Sequence, residues 1–100
     1  MEVREAFGKA LRLTRTKRGL TQEDFSVVSS RTFVSMLERG ATAPTIEKIE
    51  DLCNVLDIHP ATLFAITYLI KEGTLESQER TLMRVKQELD ELLTDGTSSC

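Results

Sequence analysis

The sequence predicts an all-α chain of six helices. Three observations predict it. No segment shows the sustained alternation of apolar and polar residues that marks a strand. The apolar residues recur at helical spacing, and the runs are bracketed by capping residues and glycines. The stretch Gly19–Gly40, GLTQEDFSVVSSRTFVSMLERG, reads as two short helices joined by a tight turn.

The first helix is expected from about Val3 to Arg18, with Phe7, Ala10 and Leu11 inward and Gly19 as its stop. Thr21 can cap the second, with Asp24 as an acidic variant of the capping box. The pair Ser29-Ser30 interrupts that helix and can cap a third from Arg31. In the third, Val34 and Leu37 share a face, while Arg31, Thr32, Ser35 and Met36 fall mostly on the other side. Gly40 suits a left-handed end. Thr45 can cap a fourth helix to about Leu56, with Ile46, Ile49, Leu52, Cys53 and Leu56 on one apolar face. His59-Pro60 starts a fifth, since proline fits the first helical position. Gly73 ends it, and Thr74 can cap a sixth from Leu75 to about Leu93. The expected organisation is a five-helix domain over 1–72, a C-terminal helix over 73–94, and a disordered polar tail over 95–100.

One hundred residues suffice for one modest core. With 40% apolar and 29% charged residues the composition is that of a soluble globular chain. No apolar run approaches the roughly 18 residues of a membrane span. The N-terminus lacks the apolar core of a signal peptide. Cys53 and Cys100 make neither a disulfide framework nor a metal site. These features point to a cytoplasmic protein without metal or cofactor. They offer no nucleophile–base set and no phosphate loop, which argues against an enzyme. The net charge of -3 divides unevenly. Residues 1–40 hold eight Lys/Arg against five acids, and residues 41–100 hold five against eleven. A basic half carrying the two-helix motif suits a face on phosphate, although two solvated surfaces would give the same division.

Residues 7 to about 64 resemble the Cro/C1-type (XRE) helix-turn-helix domain of phage repressors. The matching residues are Arg15, Gly19-Leu20-Thr21-Gln22-Glu23, Ser30-Arg31, Val34-Ser35, Leu37-Glu38-Arg39-Gly40, Pro44-Thr45-Ile46 and Ile58-His59-Pro60. Between Phe25 and Ser30 the chain is shorter than the usual family pattern, and Ser29 stands near the usual turn glycine. The resemblance implies a phage-repressor-like five-helix domain plus a C-terminal dimerisation helix. It makes the third helix a recognition helix for the major groove of double-stranded DNA.

On that reading Arg31, Thr32, Ser35 and Met36 are candidates for base contact. Arg31 can bond O6 and N7 of guanine together, or lie on phosphate instead. Thr32 and Ser35 can donate to either, and Met36 can touch a thymine methyl or serve as a small core contact. Phe33 can belong to either surface. The resemblance places Gln22 on phosphate, aided by helix N-terminal amides. Thr21 is mainly a cap with a phosphate role beside it, and Arg39 and Thr42 are further phosphate candidates. Arg12 and Lys17 reach the backbone or merely face solvent. Arg15 and Glu38 are implied to form an ion pair between the first helix and the end of the third. His59 reads as a cap or a surface residue, and Cys53 as a small buried hydrophobe.

The last two helices carry surplus apolar surface. Leu75, Leu82 and Leu89 recur every seven residues, with Gln78, Val85 and Leu92 in the second seam position. With Ile66, Leu69 and Ile70 they suggest a homodimer interface, unless the last helix folds back onto the chain's own core. A two-fold dimer would read a palindromic site with half-sites roughly 34 Å apart. The expectation is a dimeric DNA-binding transcription regulator answering to its own concentration or to a regulatory protein. The competing reading is a protein-interaction module, such as an antitoxin or anti-repressor, with secondary DNA binding.

Overall fold

The computed structural model describes residues 1–73 and 77–94. The expected cap at Thr74, the stripe residue Leu75, the tail 95–100 and Cys100 lie outside the described residues. Five α-helices follow in order: α1 Val3–Lys17, α2 Arg31–Glu38, α3 Ile46–Leu56, α4 Pro60–Glu72 and α5 Gln78–Leu93. Among the described residues there is no strand, and no single helix is long and apolar enough to cross a membrane.

The second expected helix is a correction. Gln22–Phe25 forms only a 3-10 helix, so the first half of the motif is a single tight turn. The capping signal there is real: the Thr21 amide donates to Asp24 Oδ2 at 2.7 Å. Yet only four residues separate Phe25 from Ser30, and the chain must reverse within them. The Phe25 carbonyl accepts from both Val28 and Ser29 amides at 2.9 Å, which closes the segment as a turn. The Lys48 ammonium of α3 also donates to the Val28 carbonyl and ties the turn to the body.

The remaining caps form as expected. Ser30 Oγ accepts from the Phe33 amide at 3.1 Å, and Thr45 Oγ1 from the Lys48 amide at 3.1 Å. His59 Nδ1 accepts from the Ala61 amide at 2.9 Å, ahead of Pro60 in the first turn of α4. Gly40 has φ 73°, a left-handed conformation that glycine adopts without the Cβ penalty. Asp57, after α3, takes φ 58° and is the only non-glycine residue described with positive φ. Asp tolerates that region better than most side chains.

One core joins these elements. Phe7, Ala10 and Leu11 of α1 meet Phe25, Val34 and Leu37 of the motif, Leu52, Cys53 and Leu56 of α3, and Leu63 of α4. The buried hydroxyls return to their own helices: Thr14 donates to the Ala10 carbonyl and Thr67 to the Leu63 carbonyl, each at 2.8 Å. Ile46, expected on the apolar face of α3, is 81% exposed. It is the first residue of its helix, where the chain is still turning in from the loop.

The C-terminal helices differ from the expectation in a way that matters. Leu69 is buried in the chain's own core, so it is no surface for a second copy. Ile66 and Ile70 are partly buried and pack against that core. The large apolar residues of α4 that stay exposed are Phe64 and Tyr68. α4 is apolar nearly all round, so its sequence period does not say which side turns inward. α5 packs against α4 but buries none of its residues. It does not complete the core, and Leu82, Val85, Leu89 and Leu92 remain exposed.

Candidate nucleic-acid interface

An eight-residue helix is too short to persist alone, so α2 owes its orientation to what holds it. Val34 and Leu37 are fully buried and fix its inner face. Arg15 of α1 fixes its far end. Arg15 Nε donates to Glu38 Oε2 at 2.6 Å and Nη2 to Glu38 Oε1 at 3.0 Å, a bidentate fork of the strongest kind. The third nitrogen, Nη1, donates to the Leu20 carbonyl at 3.0 Å. The side chains are only 12% and 5% exposed. The Glu38 carboxylate holds the Arg15 proton more tightly than usual, against the opposing effect of burial. The expected ion pair is therefore present.

Gln22 joins the same cluster. Its Nε2 donates to Glu38 Oε1 at 3.0 Å. A side chain expected on phosphate is thus tied to the end of α2, at the first residue of the 3-10 helix. Sequence reasoning placed Gln22 by resemblance alone and had no signal for this bond.

Gly8 was also missed. It is buried on α1 where that helix crosses the end of α2. A Cβ there would lie 2.5 Å from the Leu37 carbonyl oxygen and 2.6 Å from that of Glu38. Only glycine lets the two backbones come this close. A glycine inside a helical pattern is the one sequence signal that pointed to such an approach.

Outward, α2 presents Arg31 and Thr32, both exposed, with Ser35 and Met36 half-exposed beside them. Arg31 approaches Glu23 at 3.6 Å with both side chains 68% exposed, a pair too solvated to hold the guanidinium in place. Arg39 Nη1 donates to Ser35 Oγ one turn back, so these two candidates share one spot. Thr21 is exposed at the start of the motif, and Thr42 is half-buried in the loop after Gly40. The surface joining them bears Arg31 and Arg39; Phe25, Val34 and Leu37 point inward beneath it, and Val27 of the turn is exposed. A rigid helix with this polarity, close in size to the major groove, is the form in which proteins read base edges.

The chain belongs to the Cro/C1-type (XRE) family of helix-turn-helix DNA-binding transcription regulators, whose Helix-turn-helix profile matches residues 11–63. Two crystal structures of the clp gene regulator ClgR from Corynebacterium glutamicum are similar to it. One has a TM-score of 0.69 and 27% identity, covering 90% of this chain and 93% of that one. The other has a TM-score of 0.64 and 28% identity, covering 68% and 91%. The longer likeness extends past the family match into the C-terminal segment. Curated proteins give no match to the chain.

Proposed function

We propose that the chain acts as a homodimer that reads a palindromic operator, placing α2 of each copy in the major groove. Arg31, Thr32, Ser35 and Met36 face the bases, and Thr21, Gln22, Arg39 and Thr42 face the phosphates on either side. One observation carries this reading: α2 is clamped at its inner face by Val34 and Leu37 and at its end by Arg15–Glu38, leaving Arg31 and Thr32 exposed. A helix held this firmly loses little further freedom on binding, which favours specific contact over loose electrostatic attachment.

Dimerisation supports the same function. One short helix on one half-site binds weakly, and joining two half-sites raises affinity without new contacts. The exposed apolar faces of α4 and α5 provide the joining surface. The experiment is selection of bound sequences from random duplexes by the purified protein, with its solution mass recorded. An enriched inverted repeat and a mass twice 11.3 kDa are expected. A dimer that enriches no sequence would overturn operator reading and favour a protein-interaction role for the same apolar surface.

A further inference from the structure

Between α4 and α5 runs an open groove walled by Phe64 and Tyr68 on one side and by Leu82 and Val85 on the other. These four residues are 41–46% exposed and form the apolar part of the groove, which Glu72, Arg80, Arg84 and Glu88 also line. It ends at Glu88. The last turns of α5 continue past it, and there Leu89, Leu92 and Leu93 are 51%, 81% and 77% exposed. The molecule thus carries a hole and, further along the same helix, a set of knobs.

Charge divides along α5 at the same place. Residues 78–86 carry Arg80, Arg84 and Lys86 against Glu79, and residues 87–94 carry Glu88, Asp90 and Glu91 with no base. Two copies of α5 laid parallel would set basic half beside basic half and acidic beside acidic. They would also set knobs beside knobs and leave both grooves open. Laid antiparallel, each acidic half lies beside a basic half, and the leucines of each copy reach the groove of the other.

We infer that the groove between α4 and α5 is the docking site for the C-terminal half of α5 from a second copy, running antiparallel. This rests on the homodimer reading above and adds the occupant and its direction. The two α4–α5 pairs then form a four-helix arrangement around one apolar centre. Leu82 and Leu92 are about 15 Å apart along the helix, so the overlap spans most of α5.

The test uses the full chain with Cys100→Ser, in which Cys53 remains buried. Arg80→Cys and Leu93→Cys are made separately, carry different tags, and are mixed, re-equilibrated and treated with a short bis-maleimide. The expected dominant product joins position 80 of one copy to position 93 of the other. Dominant 80–80 and 93–93 products would overturn the antiparallel direction. A dimeric mass with no cross-link at either position would place the interface elsewhere and overturn the docking site. A monomeric mass for the untreated, unsubstituted chain would instead remove the homodimer reading on which the inference stands.

Discussion

Arg15 and Glu38 lie 23 residues apart in sequence and meet in a two-bond fork, 2.6 and 3.0 Å, that fastens the end of α2 to α1. Both side chains are nearly out of water, so each depends on the other for compensation. Glu38→Ala leaves the Arg15 guanidinium with the Leu20 carbonyl alone. The expected loss is about 3 kcal/mol. For a chain of this size that lowers the Tm by roughly 10 °C or more. Arg15→Met with Glu38→Leu together removes both charges and should recover much of the loss. Urea unfolding of the two variants checks this. A double variant no more stable than Glu38→Ala would show that the pair contributes by more than mutual compensation.

The Gly8 contact predicts a different kind of damage. Gly8→Ala sets a methyl 2.5 Å from the Leu37 carbonyl oxygen, a backbone atom that no side-chain rotation relieves. α1 and α2 must separate. Overpacking of this sort costs about 1–3 kcal/mol. Because the displaced element is the helix proposed to read DNA, affinity for the proposed operator should fall by more than the lost stability explains under conditions where the variant is fully folded. Circular dichroism and DNA titration at one temperature separate the two effects. Unchanged affinity in a folded variant would show that α2 keeps its angle despite the methyl.

Much of this architecture is written in local chemistry. Ser30, Thr45 and His59 cap where their positions suggest, and Gly40 and Gly73 close helices with positive φ, because caps and stops depend only on neighbours a few residues away. Where the sequence reading failed, the deciding interaction is remote or the pattern is ambiguous. Gln22–Phe25 falls short of an α-helix because the following reversal leaves no residues for another turn. Leu69 turns inward and Tyr68 outward on a helix apolar on all sides, a choice made by α1 and the core. The Gln22–Glu38 bond spans 16 residues and has no pattern of its own. Arg15–Glu38, at 23 residues, is more remote still, and resemblance to a family, not spacing, brought it forward.

Cys53 offers a probe of the core from within. It is 1% exposed, and burial pushes its thiol above the ordinary value of 9.0. A folded-state pKa raised in this way contributes stability that is complete below the unfolded-state value and is lost as pH rises through the folded-state value. Stability should therefore be insensitive to this thiol at neutral pH and decline on the alkaline side of about 9. In the Cys100→Ser chain at pH 8, a thiol reagent should label Cys53 only as fast as the core opens. Urea below the unfolding midpoint should accelerate labelling. Rapid labelling without urea would show that α3 opens independently of the rest.

The two arginines of the proposed DNA-reading surface should separate by the kind of affinity each supplies. Arg31 stands at the first residue of α2, exposed and only loosely paired with Glu23, so it is free to turn toward a base edge. Arg39 sits after the last turn and is bonded to Ser35, a geometry suited to lying along the backbone of the duplex. Arg31→Ala should cost about 1–3 kcal/mol on the selected operator and relax the preference at one base pair in each half-site. Arg39→Ala should weaken binding to all duplexes alike and make the salt dependence shallower, by about one phosphate contact per copy. Titration of both variants against the operator, its single-base substitutions and an unrelated duplex, over a range of salt, reads these outcomes directly. If Arg31→Ala lowers affinity for every duplex equally, Arg31 is a phosphate ligand. Sequence discrimination would then rest on Thr32, Ser35 and Met36.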